Sequence, residues 1–135
     1  MSRKGAGEID VGVKEIDAEH DLMLGLVRAL EGAVTSAPRP QVQALLQQLS
    51  EFASVHFATE EIMMRLYAYQ EFAGHQLEHA RLMDQIDQVR SEFAAGNLQP
   101  TRSFASALRH WFIEHVRTHD LALARFVRES EIRQA

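Results

Sequence analysis

Apolar residues recur every three or four positions along most of this chain, which is the spacing of residues on one face of an α-helix. Four stretches show this periodicity, and we find no internal repeat and no low-complexity tract. In the first stretch the repeating positions are Ile16, Met23, Leu24, Val27, Leu30 and Val34. We therefore predict four α-helices, over residues 18–36, 40–66, 70–95 and 101–130, after an N-terminal arm of residues 1–16.

The predicted helix boundaries follow from residues that stop a helix or favour its first turn. Asp17 is the expected N-cap of the first helix, because its carboxylate can accept a backbone N–H. Pro38-Arg39-Pro40 ends that helix and places Pro40 in the first turn of the second. Gly96-Asn97 ends the third helix, and Pro100-Thr101 opens the fourth. Since short links make consecutive helices antiparallel, we expect a single all-α domain, residues 1–135, folded as an antiparallel up-down-up-down four-helix bundle.

Polar residues interrupt the apolar faces at few positions, and most of these residues are histidines. Five of the seven histidines lie there with two carboxylates, and the set is His20, His56, Glu60, His75, His79, His115 and Asp120. Residues four apart share one face of a helix, so His56 can chelate a metal with Glu60. His75 and His79 form a second pair with the same spacing. In an alternating bundle all seven positions fall at the same end, so the sequence predicts a metal centre there.

The last position of this set has a competitor on the fourth helix. Asp120 follows His115 by five residues, which corresponds to about 140° around an α-helix. His119 follows His115 by four residues, which is itself a chelating spacing. From spacing alone, His119 therefore remains a candidate ligand or a neighbour of the site.

Composition narrows the choice of ligands and partners. The 135 residues include no cysteine, so imidazole nitrogen and carboxylate oxygen are the available metal ligands. The net charge is -5 and no Lys/Arg cluster is present, so we expect no nucleic acid and no membrane as partners. No apolar run is long enough to span a bilayer, and the short polar start leads into no apolar signal segment. The expected location is the cytoplasm.

Seven ligands of these types suit a pair of iron ions. Iron takes up to six ligands, and a carboxylate can bridge two ions whereas an imidazole binds one. If Glu60 and Asp120 both bridge, together with an oxo or hydroxo group, the five histidines divide three and two. One ion then has six ligands, and the other has one open position. Such a site is suited to binding a small diatomic molecule.

The order and spacing of these residues resemble those of the hemerythrin family, specifically the bacterial hemerythrins. The resemblance covers nearly the whole chain, and the matching segments are Val11-Gly12, Ile16-Asp17-Ala18-Glu19-His20, His56-Phe57, Trp111-x-x-x-His115 and Asp120. All seven ligand positions match the family's pattern, which favours Asp120 over His119 as the last ligand.

The resemblance also implies a role for each residue. It implies that the saturated iron is bound by His75, His79 and His115, the open iron by His20 and His56, and both ions by the bridging Glu60 and Asp120. It implies reversible O2 binding at the open iron inside an apolar pocket, whose matching positions are Phe57, Trp111, Phe112 and Val116. The chain differs from the usual pattern at Gln70, where a proline is common, and at Leu121 and Leu123, which replace a lysine and a tyrosine. Phe112 takes a place more often held by leucine, and its greater volume bears on ligand access.

The expected function is O2 storage, delivery or sensing, with nitric oxide and small anions such as azide as further ligands. A di-iron enzyme acting on peroxide, nitric oxide or O2 is the alternative. Carboxylate-rich oxidases of this architecture use paired Glu-x-x-His motifs, and this chain contains none. We therefore expect a binding protein rather than an enzyme. A bundle that holds zinc or no metal is the third hypothesis.

Overall fold

A computed structural model describes residues 9–134 of the chain, and helices make up nearly all of that range. The first three helices are α1 (Lys14–Ala33), α2 (Arg39–Leu66) and α3 (Phe72–Ala94). The fourth helical segment has three parts, namely α4 (Gln99–His115), a π-helical turn (Val116–Asp120) and α5 (Leu121–Gln134). The predicted all-α architecture of four long helical segments is confirmed. None of these helices is long and apolar enough to cross a membrane.

The helices pack as an antiparallel bundle in which each contacts two neighbours. Helix α1 packs against α2 and α4, and α3 packs against the other sides of the same two helices. The apolar stripes meet in the middle, where large side chains such as Leu30, Leu49, Ile86 and Leu108 are at most 1% exposed. Burial of these stripes away from water is the main force that holds the bundle together.

The predicted helix breaks are observed close to their expected places. Pro40 and Pro100 lie in the first turns of α2 and α4, where the missing N–H of proline costs no helical hydrogen bond. Gly96 follows α3 with φ +94, a left-handed conformation that glycine adopts without strain. These residues fix short connections, so the antiparallel arrangement follows.

Asp17 does not have its predicted role. Helix α1 begins at Lys14, its N-cap is Val13, and Asp17 lies buried in the first turn. The Asp17 carboxylate instead accepts the backbone N–H groups of Val11 at 2.8 Å and Gly12 at 3.2 Å. It therefore fastens the end of the N-terminal arm to the helix. Residues 1–8 of the predicted arm lie outside the described residues.

Gly12 is required where the arm meets the bundle. Its φ of +90 is unfavourable for any other residue, and the guanidinium of Arg128 occupies the space that a side chain would enter. Two apolar side chains of the arm are buried, since Ile9 and Val11 are 1% and 3% exposed. Ile9 and Val11 therefore form part of the core.

The fourth helical segment differs from an ideal helix at the π turn. A π turn has hydrogen bonds from residue i to residue i+5, which brings residues five apart to the same side. His115 ends α4 and Asp120 ends the π turn, so the two side chains face one point. The angle of about 140° expected on a regular α-helix does not apply at this place.

Candidate metal centre

The structure brings all seven candidate ligands together at one end of the bundle. His20 comes from the first half of α1, His56 and Glu60 from the later part of α2, and His75 and His79 from the start of α3. His115 ends α4, and Asp120 ends the π turn that follows. All seven are 0% to 3% exposed. Polar residues in this number are rarely placed together in a core unless something binds them.

Glu60 and Asp120 lie in the middle of the cluster, and each directs its two oxygens to different histidines. Oε2 of Glu60 lies 3.4 Å from Nε2 of His20 and 3.2 Å from Nε2 of His56. Oδ2 of Asp120 lies 2.8 Å from the same nitrogen of His20. These four residues form a first group of facing ligand atoms, which we call the two-histidine group.

The other oxygens of the two carboxylates face the remaining three histidines. Oε1 of Glu60 lies 3.3 Å from Nε2 of His75 and 3.0 Å from Nε2 of His79. Oδ1 of Asp120 lies 2.9 Å from Nε2 of His75 and 3.2 Å from Nε2 of His115. We call these five residues the three-histidine group. The two carboxylates therefore belong to both groups.

His119 lies beside the cluster but outside both groups. Its side chain is 42% exposed, and its ring stacks on His115 with centroids 5.2 Å apart. Its Nε2 points toward Glu78, 3.7 Å from Oε1. The π turn explains why Asp120 enters the cluster and His119, one residue earlier, remains near the surface.

Two further carboxylates bind the outer nitrogens of histidines in the cluster. Glu19 Oε1 lies 2.6 Å from Nδ1 of His56, and Glu61 Oε2 lies 3.0 Å from Nδ1 of His79. A carboxylate accepts a hydrogen bond from Nδ1–H, so Nε2 keeps its lone pair for the interior. Sequence reasoning did not single out these two residues. Both are immediate neighbours of candidate ligands, and a residue next to a ligand is turned about 100° toward the adjacent helix.

Aromatic rings pack against the histidines, and they include three of the four predicted pocket residues. Phe57 stacks on His79, with centroids 4.0 Å apart, and also contacts His56. Trp111 stacks on His115 at 4.8 Å. Phe112 contacts His20 edge-on at 5.6 Å and is 0% exposed, as is Val116. Phe112 and Phe57 therefore both contact the two-histidine group, through His20 and His56 respectively, whereas Trp111 borders the three-histidine group.

The cluster carries a buried pattern of opposite charges in the metal-free protein. Burial by itself would lower the pKa of His20, but its contacts with Asp120 and Glu60 outweigh this and raise the pKa to about 9. The same opposing effects raise the pKa of His75 to about 9. Burial would raise the pKa of Glu60 and Asp120, but the surrounding histidines hold both pKa values below their usual range. A cation that binds both carboxylates would displace the additional protons that the raised pKa values allow His20 and His75 to hold.

The nitrogen and oxygen atoms of the seven residues are arranged better for binding a metal than for hydrogen bonding to one another. Each of the seven residues has at least one buried atom that makes no hydrogen bond, although their contacts lie at hydrogen-bonding distance. Most buried polar groups in proteins do find a hydrogen-bond partner. Octahedral ligands at about 2.1 Å from an ion lie about 3 Å apart when adjacent and about 4.2 Å apart when opposite. The ligand atoms of each group all lie within 4.8 Å of one another, so each group could hold one ion.

A buried cluster of imidazoles and carboxylates inside a four-helix bundle defines a metal-binding helical protein. The family model described as "Hemerythrin HHE cation binding domain" matches residues 11–127, which is most of the chain. The chain therefore belongs to the hemerythrin HHE cation-binding family.

Individual relatives and solved structures agree with this assignment. Bacteriohemerythrin of Methylococcus capsulatus is 25% identical over 111 residues, covering 82% of this chain and 85% of the relative. Bacteriohemerythrin of Stenotrophomonas maltophilia is 26% identical over 117 residues, covering 87% of this chain and 76% of the relative. A crystal structure of wild-type hemerythrin superposes with a TM-score of 0.84 at 24% identity, over 90% of this chain and 94% of that one. At this identity the superposition establishes the fold.

Proposed function

We propose that this protein binds two iron ions and uses them to bind O2 reversibly. One ion is assigned to His75, His79 and His115, and the other to His20 and His56. Glu60 and Asp120 are assigned as bridges between the ions. The observation that carries this proposal is the division of each carboxylate, whose two oxygens face different groups of histidines.

The unequal division of histidines supports a single binding position for O2. Three imidazoles and two bridging carboxylate oxygens nearly fill an octahedral ion, whereas two imidazoles leave more room on its partner. When bound, the iron pair supplies the two electrons that make reversible O2 binding possible. His20 and His56 mark the half of the site where the open position is assigned.

The surroundings of the two-histidine group support binding in the absence of water. Phe112 and Val116 are both 0% exposed, and Phe112 contacts the ring of His20. Apolar side chains here offer no hydrogen-bond partner to a water molecule. Excluding water also removes the nearest source of protons for a reduced oxygen species. We therefore assign all four predicted positions, Phe57, Trp111, Phe112 and Val116, to the wall of the O2 pocket, and Phe112 and Phe57 contact the two-histidine group directly.

The outer carboxylates support stable metal binding. Glu19 and Glu61 hold His56 and His79 in the tautomer whose Nε2 faces the interior. Gln76 Nε2 donates to Oε1 of Glu61 at 3.3 Å, which orients the carboxylate. Hydrogen bonds of this kind raise the basicity of a ligating imidazole. His56 belongs to the two-histidine group and His79 to the three-histidine group, so each ion would have one ligand oriented by an outer carboxylate.

We further propose that the protein binds O2 without turning it over, and so is not an enzyme. The hydroxyl of Tyr67 donates to Glu131, and the ring of Tyr69 packs on Phe126. Glu60 and Asp120 are assigned as bridges, and Glu19 and Glu61 accept hydrogen bonds from Nδ1 of His56 and His79. Storage, delivery or sensing of O2 fits this arrangement.

Iron analysis combined with optical spectroscopy tests the proposal. Protein produced with ample iron should contain two irons per chain. The reduced protein should change its absorption when O2 is added and regain its original spectrum when O2 is removed, over several cycles. One iron per chain, or preferential binding of zinc, would contradict the di-iron assignment. Consumption of peroxide or nitric oxide over many turnovers would instead favour an enzyme.

A further inference from the structure

A third group of possible metal ligands lies on the outer side of His115. It consists of Glu78, His115 and His119, whose ligand atoms lie within 4.8 Å of one another. Oε1 of Glu78 is 3.9 Å from Nδ1 of His115 and 3.7 Å from Nε2 of His119. This Oε1 therefore lies near two imidazole nitrogens, one from the end of α4 and one from the π turn. We call these three residues the outer group.

The outer group is accessible where the buried centre is not. The side chains of Glu78 and His119 are 27% and 42% exposed, whereas that of His115 is 1% exposed. The π turn produces this arrangement, because Asp120 faces Nε2 of His115 from the inside while His119 remains outside. The ring of His115 thus lies between the exposed side chains of the outer group and the buried centre, with Nδ1 on the outer side and Nε2 on the inner side.

The corresponding outer nitrogens of two other histidines are already occupied. Nδ1 of His56 contacts Glu19 at 2.6 Å, and Nδ1 of His79 contacts Glu61 at 3.0 Å. Nδ1 of His115 makes no hydrogen bond, and its distance to Glu78 is too long for one. Nδ1 of His20 and Nδ1 of His75 also make no hydrogen bond, but it is His115 that shares a ligand group with the partly exposed Glu78 and His119.

We propose that Glu78, His119 and Nδ1 of His115 form an outer binding site for a divalent cation, through which ferrous iron enters the buried centre. This inference rests on the proposed function, since it concerns how that centre is filled. Imidazole nitrogen and carboxylate oxygen are suitable ligands for ferrous iron. Small rotations of two partly exposed side chains bring the three ligand atoms to the separation of about 3 Å that a bound ion requires.

The chemistry of imidazole makes the outer site a transient one. A neutral imidazole has one nitrogen with a free lone pair. His115 can therefore bind a cation through Nδ1 on the outside or through Nε2 on the inside, but not both at once. When the cation moves to Nε2, the proton moves to Nδ1 and the outer site loses a ligand. Filling the centre thus weakens the outer site, which leaves the entrance free.

The rates of iron uptake and release test this proposal. Glu78→Gln removes the charged ligand, and His119→Phe keeps a ring stacked on His115 while removing its nitrogen. Metal-free protein is mixed anaerobically with ferrous iron, and loaded protein is separately treated with excess chelator. We expect each variant to slow uptake about tenfold or more, since the influence of residues around a metal site lies in that range. Release should slow by the same factor, because a site on the pathway changes both directions without changing the equilibrium.

Matched controls separate this role from other effects of the substitutions. Glu51→Gln and His110→Phe make the same two substitutions at exposed positions and should leave both rates unchanged. If Glu78 only positions His115, Glu78→Gln will speed release and lower iron content without slowing uptake, and the proposal is then wrong. If Glu61→Gln slows both rates and Glu78→Gln does not, iron enters beside His79 instead, which also overturns it.

Iron uptake by the wild-type protein distinguishes failure of the entry route from failure of the di-iron assignment. Wild-type protein that takes up no iron would contradict the di-iron assignment and, with it, the entry route. Wild-type protein that takes up two irons, while Glu78→Gln and His119→Phe take them up at the wild-type rate, would overturn the entry route alone. Slower uptake and release with two irons still bound at the end would support both.

Discussion

Phe112 offers the sharpest test of the proposed oxygen pocket. Its ring is 0% exposed and contacts the edge of His20 at 5.6 Å, so truncation opens space beside the two-histidine group. A water molecule takes up about 30 Å³ of liquid and needs polar partners to stay in a cavity. Nδ1 of His20 is buried without a hydrogen bond and can serve as one of them. We expect Phe112→Ala to admit water and to hasten autoxidation of the oxygenated protein.

The size of each effect follows from the burial of the ring. Replacing a fully buried phenylalanine by alanine costs about 3 to 5 kcal/mol of unfolding free energy. A domain stable by about 5 to 15 kcal/mol can survive this loss, particularly with metal bound. Phe112→Leu keeps most of the apolar volume and should cost less than about 1.5 kcal/mol. We expect autoxidation to rise at least about tenfold in the alanine variant, which corresponds to about 1.4 kcal/mol of activation free energy. The leucine variant should lie between it and the wild type.

Stopped-flow O2 binding and the decay of the oxygenated spectrum in air measure these changes. Iron content should remain at the wild-type value, since no assigned ligand is altered. Leu108→Ala is the matched control, because Leu108 is 1% exposed on the same helix and its truncation also leaves a core cavity. Equal autoxidation rates in Phe112→Ala and Leu108→Ala would mean that general destabilisation explains the effect. Rates equal to wild type in both Phe112 variants would show that Phe112 does not line the pocket.

Three further predictions concern the ligands themselves. Asp120→Ala should abolish the normal iron spectrum while His119→Ala leaves the final iron content intact, and the reverse result would reassign the ligand to His119. Glu60→Ala should lose iron and destabilise the metal-bearing end of the bundle by more than the roughly 0.5 to 3 kcal/mol of a typical substitution; full iron content with unchanged melting would exclude Glu60 as a ligand. In metal-free protein the raised pKa of about 9 for His20 and His75 should contribute stability that is complete below about pH 6.5 and is lost as the pH rises through 9. Denaturant unfolding at pH 6 and pH 9.5 measures this loss, and equal stability at the two pH values would contradict it.

Burying the polar residues of this centre lowers the free energy of unfolding, and the apolar packing in the rest of the bundle compensates for that loss. Two carboxylates and five imidazoles at 0% to 3% exposure have lost most of their hydration. Opposite charges in the metal-free cluster compensate part of that loss, but several polar atoms have no hydrogen bond. The other end of the bundle is packed with apolar side chains such as Leu30, Leu49 and Ile86. Metal binding should therefore raise the free energy of unfolding as well as create the functional site.

The sequence by itself determines the helices and most of the ligand set. Apolar periodicity predicts the four helical segments, because each helix must bury one face, and Pro40, Gly96 and Pro100 mark breaks that depend only on local backbone chemistry. The pair of His56 and Glu60 can be found in the same way, since residues four apart on a helix share a face. Antiparallel order then places the pairs at one end, which is a consequence of short connections.

Only the tertiary structure decides the remaining features. A regular helix turns Asp120 away from His115, and the π turn that corrects this leaves no pattern in the local sequence. The sequence predicts Asp17 as a helix N-cap, but in the folded protein its carboxylate accepts hydrogen bonds from the N–H groups of Val11 and Gly12 in the arm. Glu19 and Glu61 acquire their roles from histidines on neighbouring helices. The physical reason is common to all of them, because spacing along a chain specifies direction within one helix, while contacts between helices depend on rotation and packing in the whole bundle.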